Sequence, residues 1–570
     1  MALDLKIKNG TVLDGTGFPR YKADVGVRDG KIVAVGKLSD AAKQEINAEG
    51  LMVAPGFIDV HTHYDAQVAF EPMLSGSCWH GVTTVVMGNC GLSVAPVTPK
   101  ERDYLIGVFS KVEELSASAL SQGPSWQWKS YGDYLNAIDK GLGINVAGIV
   151  GYNAVRLNVM GMAASERPAN ADEVKKLQNA LRQAVGEGSF GWSTTMAPTH
   201  VGPQGEPVPS RMASREEMVA MAEALVGHSV GVIGINPSSV TTGLSEEDKV
   251  LFEQMALRSG RPVLWNGHVY KWDKPMKWRD EQAFMKDAAK RGALIYTSSR
   301  LHQLARRVNL KRTAFFNGLP VWRDFIDLPT EEKVQKFKDP ANRQALRNGI
   351  DNPKSGPGRG QERLAIRWDG LKVDKVALPK NKRLEGKNVV ELSKQQGKHV
   401  ADVILDLALE ENIETQFWYS STTEADEPAR GELIVQPNTM PGSSDAGAHV
   451  NSYCIAGEPT YFLRYWVLTR GIMSLEEGIR AWTFKPAMAF GIRDRGLIRP
   501  GMAADLVVFD EKTIEEGPQE QVQDFPAGET RYISKGKGIT ATIVNGNVLT
   551  KDGKHTGVMP GRVLRSTQYM

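Results

Sequence analysis

Apolar and polar residues alternate in short runs at both ends of the chain, and longer helical periods fill the space between. Alternation runs from Leu5 to Leu13 and from Asp24 to Gly36, broken by turn residues. Side chains two apart on a strand share a face, so this pattern predicts strands, with Asp29-Gly30 as a hairpin turn. Ala504 to Phe509 has the same character, as does Thr540 to Leu549 with its Asn545-Gly546 turn. The expectation is a small β-sandwich built jointly from residues 1–54 and 491–570.

Between them, residues 55–490 alternate strand-like and helical stretches, the pattern of a parallel α/β domain. The first strand is expected in the apolar run 51–60, and others at 82–87, 144–150, 189–193, 230–236, 262–266 and 293–298. The eighth is expected just before Asp445, around 432–435. A period near 3.6 predicts a helix over 171–186, and Ser214-Arg215-Glu216-Glu217 has the signature of a helix start. Residues 315–398 are too long for a simple helix and form an insertion, with a loop at 352–360. Such an insertion serves as a lid or subunit contact, or is a solvated excursion.

The strand ends carry the chemistry. The first run ends in His61-Thr62-His63, which puts two imidazoles on one face, with Asp65 close enough to join or orient them. The second runs into Gly88-Asn89-Cys90-Gly91, the sixth into Asn266-Gly267-His268, and the last into Ser443-Ser444-Asp445. Different strands presenting ligands and bases at their C-terminal ends is the logic of a (β/α)8 TIM-barrel active site. Each residue also has an ordinary reading: a surface histidine pair, a buried apolar cysteine, an Asx turn at Asp445. Their coincidence at several strand ends favours the metal site.

Composition narrows the classes. Hydrophobic residues make up 41% and charged residues 24%, ordinary for a globular chain. A net charge of +3 on 570 residues gives no reason to expect nucleic acid or an anionic membrane as partner. The three cysteines lack a disulfide-framework spacing, and no apolar run suits a signal peptide or membrane helix. A cytoplasmic location is expected.

The motifs also resemble a known family. "PGFIDVHTH" resembles the first barrel strand of the amidohydrolase superfamily. "GVTTVVMGNCG", "GIVGYNAVR" and "SSDAGAH" are similar to its N-acyl-D-amino-acid deacylase (D-aminoacylase) branch. "GLIRPGMAADLVVFD" resembles the superfamily's return into its small β-sandwich, and the likeness spans about residues 5–550. The resemblance implies zinc-dependent amide hydrolysis, with Cys90 replacing a carboxylated lysine as metal ligand and Asp445 as general base and then acid. The candidate metal ligands are therefore His61, His63, Cys90 and His268. The substrate is expected to be a small-molecule amide, and the protein a homo-oligomer.

The chain departs from that branch in two places. Strand five ends in Asn236 rather than a histidine, and His268 sits one position late on strand six, where Gly267 would need to bulge to restore its aim. These changes argue against a second ion, so one tightly held zinc is expected. They also leave open a cyclic-amide hydrolase or another metal-assisted cleavage; a non-enzymatic dihydropyrimidinase-like scaffold is a further alternative. Tyr152, Asn153 and Arg156 after strand three, His200 after strand four, and Asn266 are the candidate substrate contacts. Arg156 suits a carboxylate but also a helix start, and His200 suits a substrate or plain surface.

Overall fold

The computed structural model describes all residues except 1, 303, 304, 312, 314, 327 and 353–365. Most of the expected 352–360 loop therefore lies outside the described residues. The chain divides into two compact units, one of residues 1–269, 276–301 and 431–570, the other of residues 270–275 and 302–430.

In the first unit, strands from both ends of the sequence join in one nine-stranded sheet. Leu3–Val12 pairs antiparallel with Tyr21–Arg28 and parallel with Ala42–Asn47 and Met52–Pro55. Met52–Pro55 pairs in turn with Leu506–Phe509, which pairs with Ile539–Val544. Their alternate residues, among them Leu5, Ile7, Val25, Val27, Val53, Leu506, Val508 and Ile543, bury a common apolar layer.

The expected first strand is cut in two. Met52–Pro55 belongs to that sheet, and after Gly56 the chain enters the parallel set as Phe57–Asp59. A Cβ on Gly56 would lie 2.2 Å from the Thr83 side chain, so only glycine lets the two strands approach here.

Phe57–Asp59, Val82–Met87 and Asn145–Gly148 form a three-stranded parallel sheet. Val150–Gly151, Gly191–Thr195, Val232–Asn236, Val263–Asn266, Ile295–Ser299 and Thr439–Pro441 form a six-stranded parallel sheet in sequence order. A parallel bridge between Thr62 and Ala446 joins the continuation of the first strand to that of the last. These strands are buried at every position but the half-buried Tyr296, as expected of strands covered by helices on the outside.

One sequence expectation changes. The apolar run near 432–435 is not the last strand: Glu427–Ile434 is a helix burying Leu433 and Ile434, and the strand is Thr439–Pro441. Three residues ending in proline carry too little alternation to read. The helix Ala171–Gly186 forms as expected, started by Asn170, whose side chain accepts from Asp172 and Glu173 while Glu173 reaches back. At Arg215–Ala222, Ser214 caps Glu217 N at 3.1 Å, but the Glu217 carboxylate is drawn into a buried pair instead of closing the box.

The second unit has a core of its own. Phe316, Trp322, Leu346, Leu371, Ile404 and Phe417 are buried in it, with Phe316 stacked on Trp322 at 4.6 Å. Ala305–Val308 and Leu371–Lys375 flank Gln416–Ser420 as an antiparallel sheet. The insertion expected at 315–398 falls inside this unit.

Candidate metal centre

His61 and His63 leave the first parallel strand with Thr62 between them. Thr62 N donates to Val86 O at 3.1 Å, and His63 N to Ala446 O at 2.8 Å. The segment is thus held from both sides, and the two imidazoles stand on the same face with ring centroids 5.3 Å apart. Cys90 arrives from the second strand through a tight turn. A Cβ on Gly88 would fall 1.7 Å from Ile149 O, and Cys90 itself adopts a left-handed φ of 57°. Asn89 ties the turn to its neighbours, donating to Val86 O at 3.0 Å and Val60 O at 3.3 Å. Asp65 accepts from Gly88 N at 3.1 Å, so it braces the turn rather than joining the ligand group.

One ligand atom each from His61, His63 and Cys90 lies within 4.8 Å of the others, and all three residues are buried. His61 Nε2 is 3.5 Å from Cys90 Sγ. Zinc bonds of ~2.0–2.3 Å at tetrahedral angles need donors about 3.5 Å apart, so this pair already has the separation zinc requires. Asn266 Oδ1 stands 3.1 Å from His61 Nδ1 and accepts from Ser298 Oγ at 3.0 Å. An amide oxygen only accepts, so His61 donates from Nδ1 and turns Nε2 toward the cluster. Glu113 Oε1 faces His63 Nδ1 at 3.7 Å.

Asp445 closes the group. It sits after Thr439–Pro441 with a left-handed φ of 46°, and its Oδ1 is 3.0 Å from His61 Nε2 and 3.7 Å from His63 Nε2. Its Oδ2 pairs with the Arg300 guanidinium, which follows Ile295–Ser299. Burial works to raise the Asp445 carboxyl, but Arg300 and the two imidazoles outweigh it and hold the group well below the usual carboxylate range. The opposite balance acts on His61: burial disfavours its cation, yet Cys90 and Asp445 lift it to about 10. Burial likewise raises the Cys90 thiol, and the imidazoles bring it below its ordinary value. These directions all favour charge on Cys90 and Asp445 beside the two imidazoles, a set in which a cation can replace protons.

The remaining sequence candidates separate. His268 turns toward the helix Lys277–Lys290, with Nε2 3.4 Å from Glu281 and Nδ1 3.4 Å from Gln282, and it is not drawn into the three-residue group. Gly267 does take a left-handed φ of 93°, but the turn carries the ring onto Trp265, 5.1 Å away, instead of into the cluster. Tyr152 and Arg156 do not line the centre. Both bond the buried Glu217, Tyr152 Oη at 2.7 Å, and Arg156 also donates to Arg167 O at 2.9 Å. Asn153 accepts from Ser210 N at 2.7 Å and donates its own backbone N–H to Gly91 O, bracing the cysteine turn. Asn266 serves the His61 ring, as above. For His200, burial, then the charges of His63 and Arg211, push the imidazole down to about 3, which favours a neutral ring. Among the described residues its Nδ1 has no hydrogen-bond partner.

Sequence reasoning missed Arg300, Glu113 and Glu458. Arg300 follows the seventh strand, where the same strand-end logic would have found it. Glu458 accepts from Leu301 N at 2.9 Å and Ser443 N at 3.0 Å, tying the ends of strands seven and eight together. Glu113 lies just past the helix Pro99–Val112, and nothing in its local sequence marks it.

A family model, the amidohydrolase family, matches residues 44–341 and 369–550, and one for the N-terminal domain of the urease alpha-subunit matches residues 1–57. The chain belongs to the amidohydrolase family. This amidohydrolase is similar along nearly its whole length to the D-aminoacylase of Alcaligenes xylosoxydans xylosoxydans, 26% identical, with 99% of this chain and 98% of that protein covered. The N-acyl-D-glutamate deacylase of the same organism is 26% identical over 99% of this chain and 96% of its own length. A solved D-aminoacylase, described as having a binuclear metal centre with one-metal activation and second-metal attenuation, superposes with a TM-score of 0.65 at 25% identity, covering 99% of this chain and 100% of that one. The amidohydrolase is a hydrolase acting on amide carbon–nitrogen bonds, related to metal-dependent deacylases. Among the described residues, no helix is long and apolar enough to cross a membrane.

Proposed function

We propose that this amidohydrolase removes the acyl group from an N-acyl amino acid, giving a carboxylate and a free amine, with one zinc ion held by His61, His63 and Cys90. The observation that carries the reading is the buried convergence of those three donors, with the Asp445 carboxylate 3.0 Å from His61 Nε2. Two imidazoles and a thiolate suit zinc better than a hard cation. Full-length likeness to two D-amino-acid deacylases supports the bond class and does not favour a cyclic-amide hydrolase or an inert scaffold. The same likeness, with the strand order and the Thr62–Ala446 bridge, supports reading the parallel strands as a closed (β/α)8 barrel.

When bound, zinc supplies Lewis acidity and lowers the pKa of a coordinated water from ~15.7 to ~7. Asp445 manages the proton: its carboxylate is kept ionised by Arg300, takes the proton of the attacking water, and returns it to the departing nitrogen. Asn266 fixes the His61 tautomer. His200, whose imidazolium is disfavoured by burial, is the substrate contact this reading assigns. The test is a panel of N-acyl-D- and N-acyl-L-amino acids against cyclic imides, assayed with zinc-loaded protein. Release of free amino acid from the acyl substrates is expected. Turnover confined to cyclic imides would overturn the reading.

A further inference from the structure

We infer that Glu113 is a positioning residue for the centre: its buried carboxylate steadies the His63 ring with Nε2 turned to the ion, and metal affinity depends on it. The inference rests on reading His61, His63 and Cys90 as metal ligands.

An imidazole that ligates through one ring nitrogen carries its hydrogen on the other, and a buried N–H needs an acceptor. His61 has Asn266 for this. His63 is buried as deeply, its side chain 1% exposed, and its two nitrogens face different groups. Nε2 lies 3.7 Å from Asp445 Oδ1, on the side of the cluster. Nδ1 has no hydrogen-bond partner among the described residues, and Glu113 Oε1 stands 3.7 Å from it. Closing that gap by about 1 Å would make a charge-assisted bond. Asp65, another anion near the ring, is turned to the cysteine turn through Gly88 N.

The carboxylate of Glu113 has little other employment. It is 4% exposed, and among the described residues no lysine or arginine pairs with it. Its Oε2 faces His449 Nε2 at 3.9 Å. A buried anion without a cation beside it is costly, and a charged His63 ring or an ion bound to that ring is what would offset it. Burial works against charge on His63, and Glu113 stands first among the groups opposing it, ahead of Asp445 and Cys90.

The backbone holds Glu113 in place. It follows the helix Pro99–Val112, its N–H donates to Phe109 O at 3.0 Å, and its carbonyl accepts from His449 N at 2.7 Å. The next residue adds a second tie, because Glu114 O accepts from Asn451 Nδ2 at 2.9 Å. The segment just past Asp445 therefore grips the helix end from which Glu113 reaches in. The two carboxylates that flank His63, one on each ring nitrogen, are fixed to one another through that grip.

The test is a cadmium titration of metal-stripped protein, followed by the thiolate-to-cadmium absorption, which reports binding at Cys90. E113A should keep that absorption and bind cadmium about 10- to 100-fold more weakly than the wild type. E113Q keeps an acceptor oxygen and loses the charge, so its affinity should fall by about 3- to 10-fold. In zinc-loaded protein carrying isotope-labelled histidine, one slowly exchanging ring N–H should be present in the wild type and missing from E113A. Circular dichroism checks that each variant is folded, and E113Q, the closer in shape, carries the test if E113A is not. Wild-type affinity in E113A, or in E113Q where E113A does not fold, would overturn the inference and leave the metal reading intact. Equal losses in the two variants would also overturn it, since a distant charge needs no acceptor. A wild-type chain that takes up no cadmium removes the metal reading itself, and the inference with it. Failure to deacylate leaves the inference standing, because the titration needs no substrate.

Discussion

Two residues at the centre hold backbone shapes that side chains usually avoid. Cys90 and Asp445 have φ of 57° and 46°. A non-glycine residue there costs of order 1–3 kcal/mol and is tolerated where the surroundings dictate it. Asparagine adopts this shape more readily than most, so Asp445→Asn is expected to fold and to keep its metal. Its turnover should fall about 10²- to 10⁴-fold, because an amide cannot accept the water's proton. Cys90→Ala should instead deplete zinc. Metal analysis beside steady-state kinetics separates the two; zinc lost from the asparagine variant would make Asp445 chiefly a ligand. That the histidine pair, Cys90 and Asp445 come together was readable from sequence, because each ends a strand of the same parallel set. Tyr152 and Arg156 misled because a residue after a strand end can point outward to the helices as easily as inward.

Secondary-structure elements show the same contrast. Long periodic segments, such as Ala171–Gly186 and the apolar strands, were legible. The last strand was not, because Thr439–Pro441 is shorter than its own signal while the neighbouring helix imitates a strand. The helix Tyr152–Met160 is pinned to Arg215–Ala222 by the Arg156–Glu217 pair, whose side chains are 0% and 2% exposed. Removing one partner strands a buried charge, so Arg156→Met is expected to destabilise the protein by about 3–5 kcal/mol. Its KM should stay unchanged where the variant is still folded. Denaturant unfolding and kinetics at low temperature check both; a raised KM at native stability would return Arg156 to the substrate.

At the scale of the whole molecule, stability should carry a mark of Lys485. This lysine lies in the helix Phe484–Phe490, and its Nζ donates to the carbonyl of Thr439 beneath the last parallel strand. Burial, helped by the charge of Arg480, lowers it from 10.5 to about 8. In that window the unfolded chain binds a proton that the folded one lacks, so stability rises as pH climbs from about 8 toward 10.5. Lys485→Met should lack this rise. Unfolding midpoints across the range test it, and parallel curves for the two proteins would refute it.

Synthesis order has a consequence in the nine-stranded sheet. The strand Met52–Pro55 has Leu506–Phe509 along one edge, a partner that emerges roughly 450 residues later. At ~5–20 residues per second, that edge waits for about 20 to 90 seconds with its hydrogen-bonding groups open. A growing chain in this state is a template for mispairing with its neighbours on the same messenger. Yield of native protein should therefore depend on how crowded the ribosomes are and on the chaperones that reach the nascent strand first.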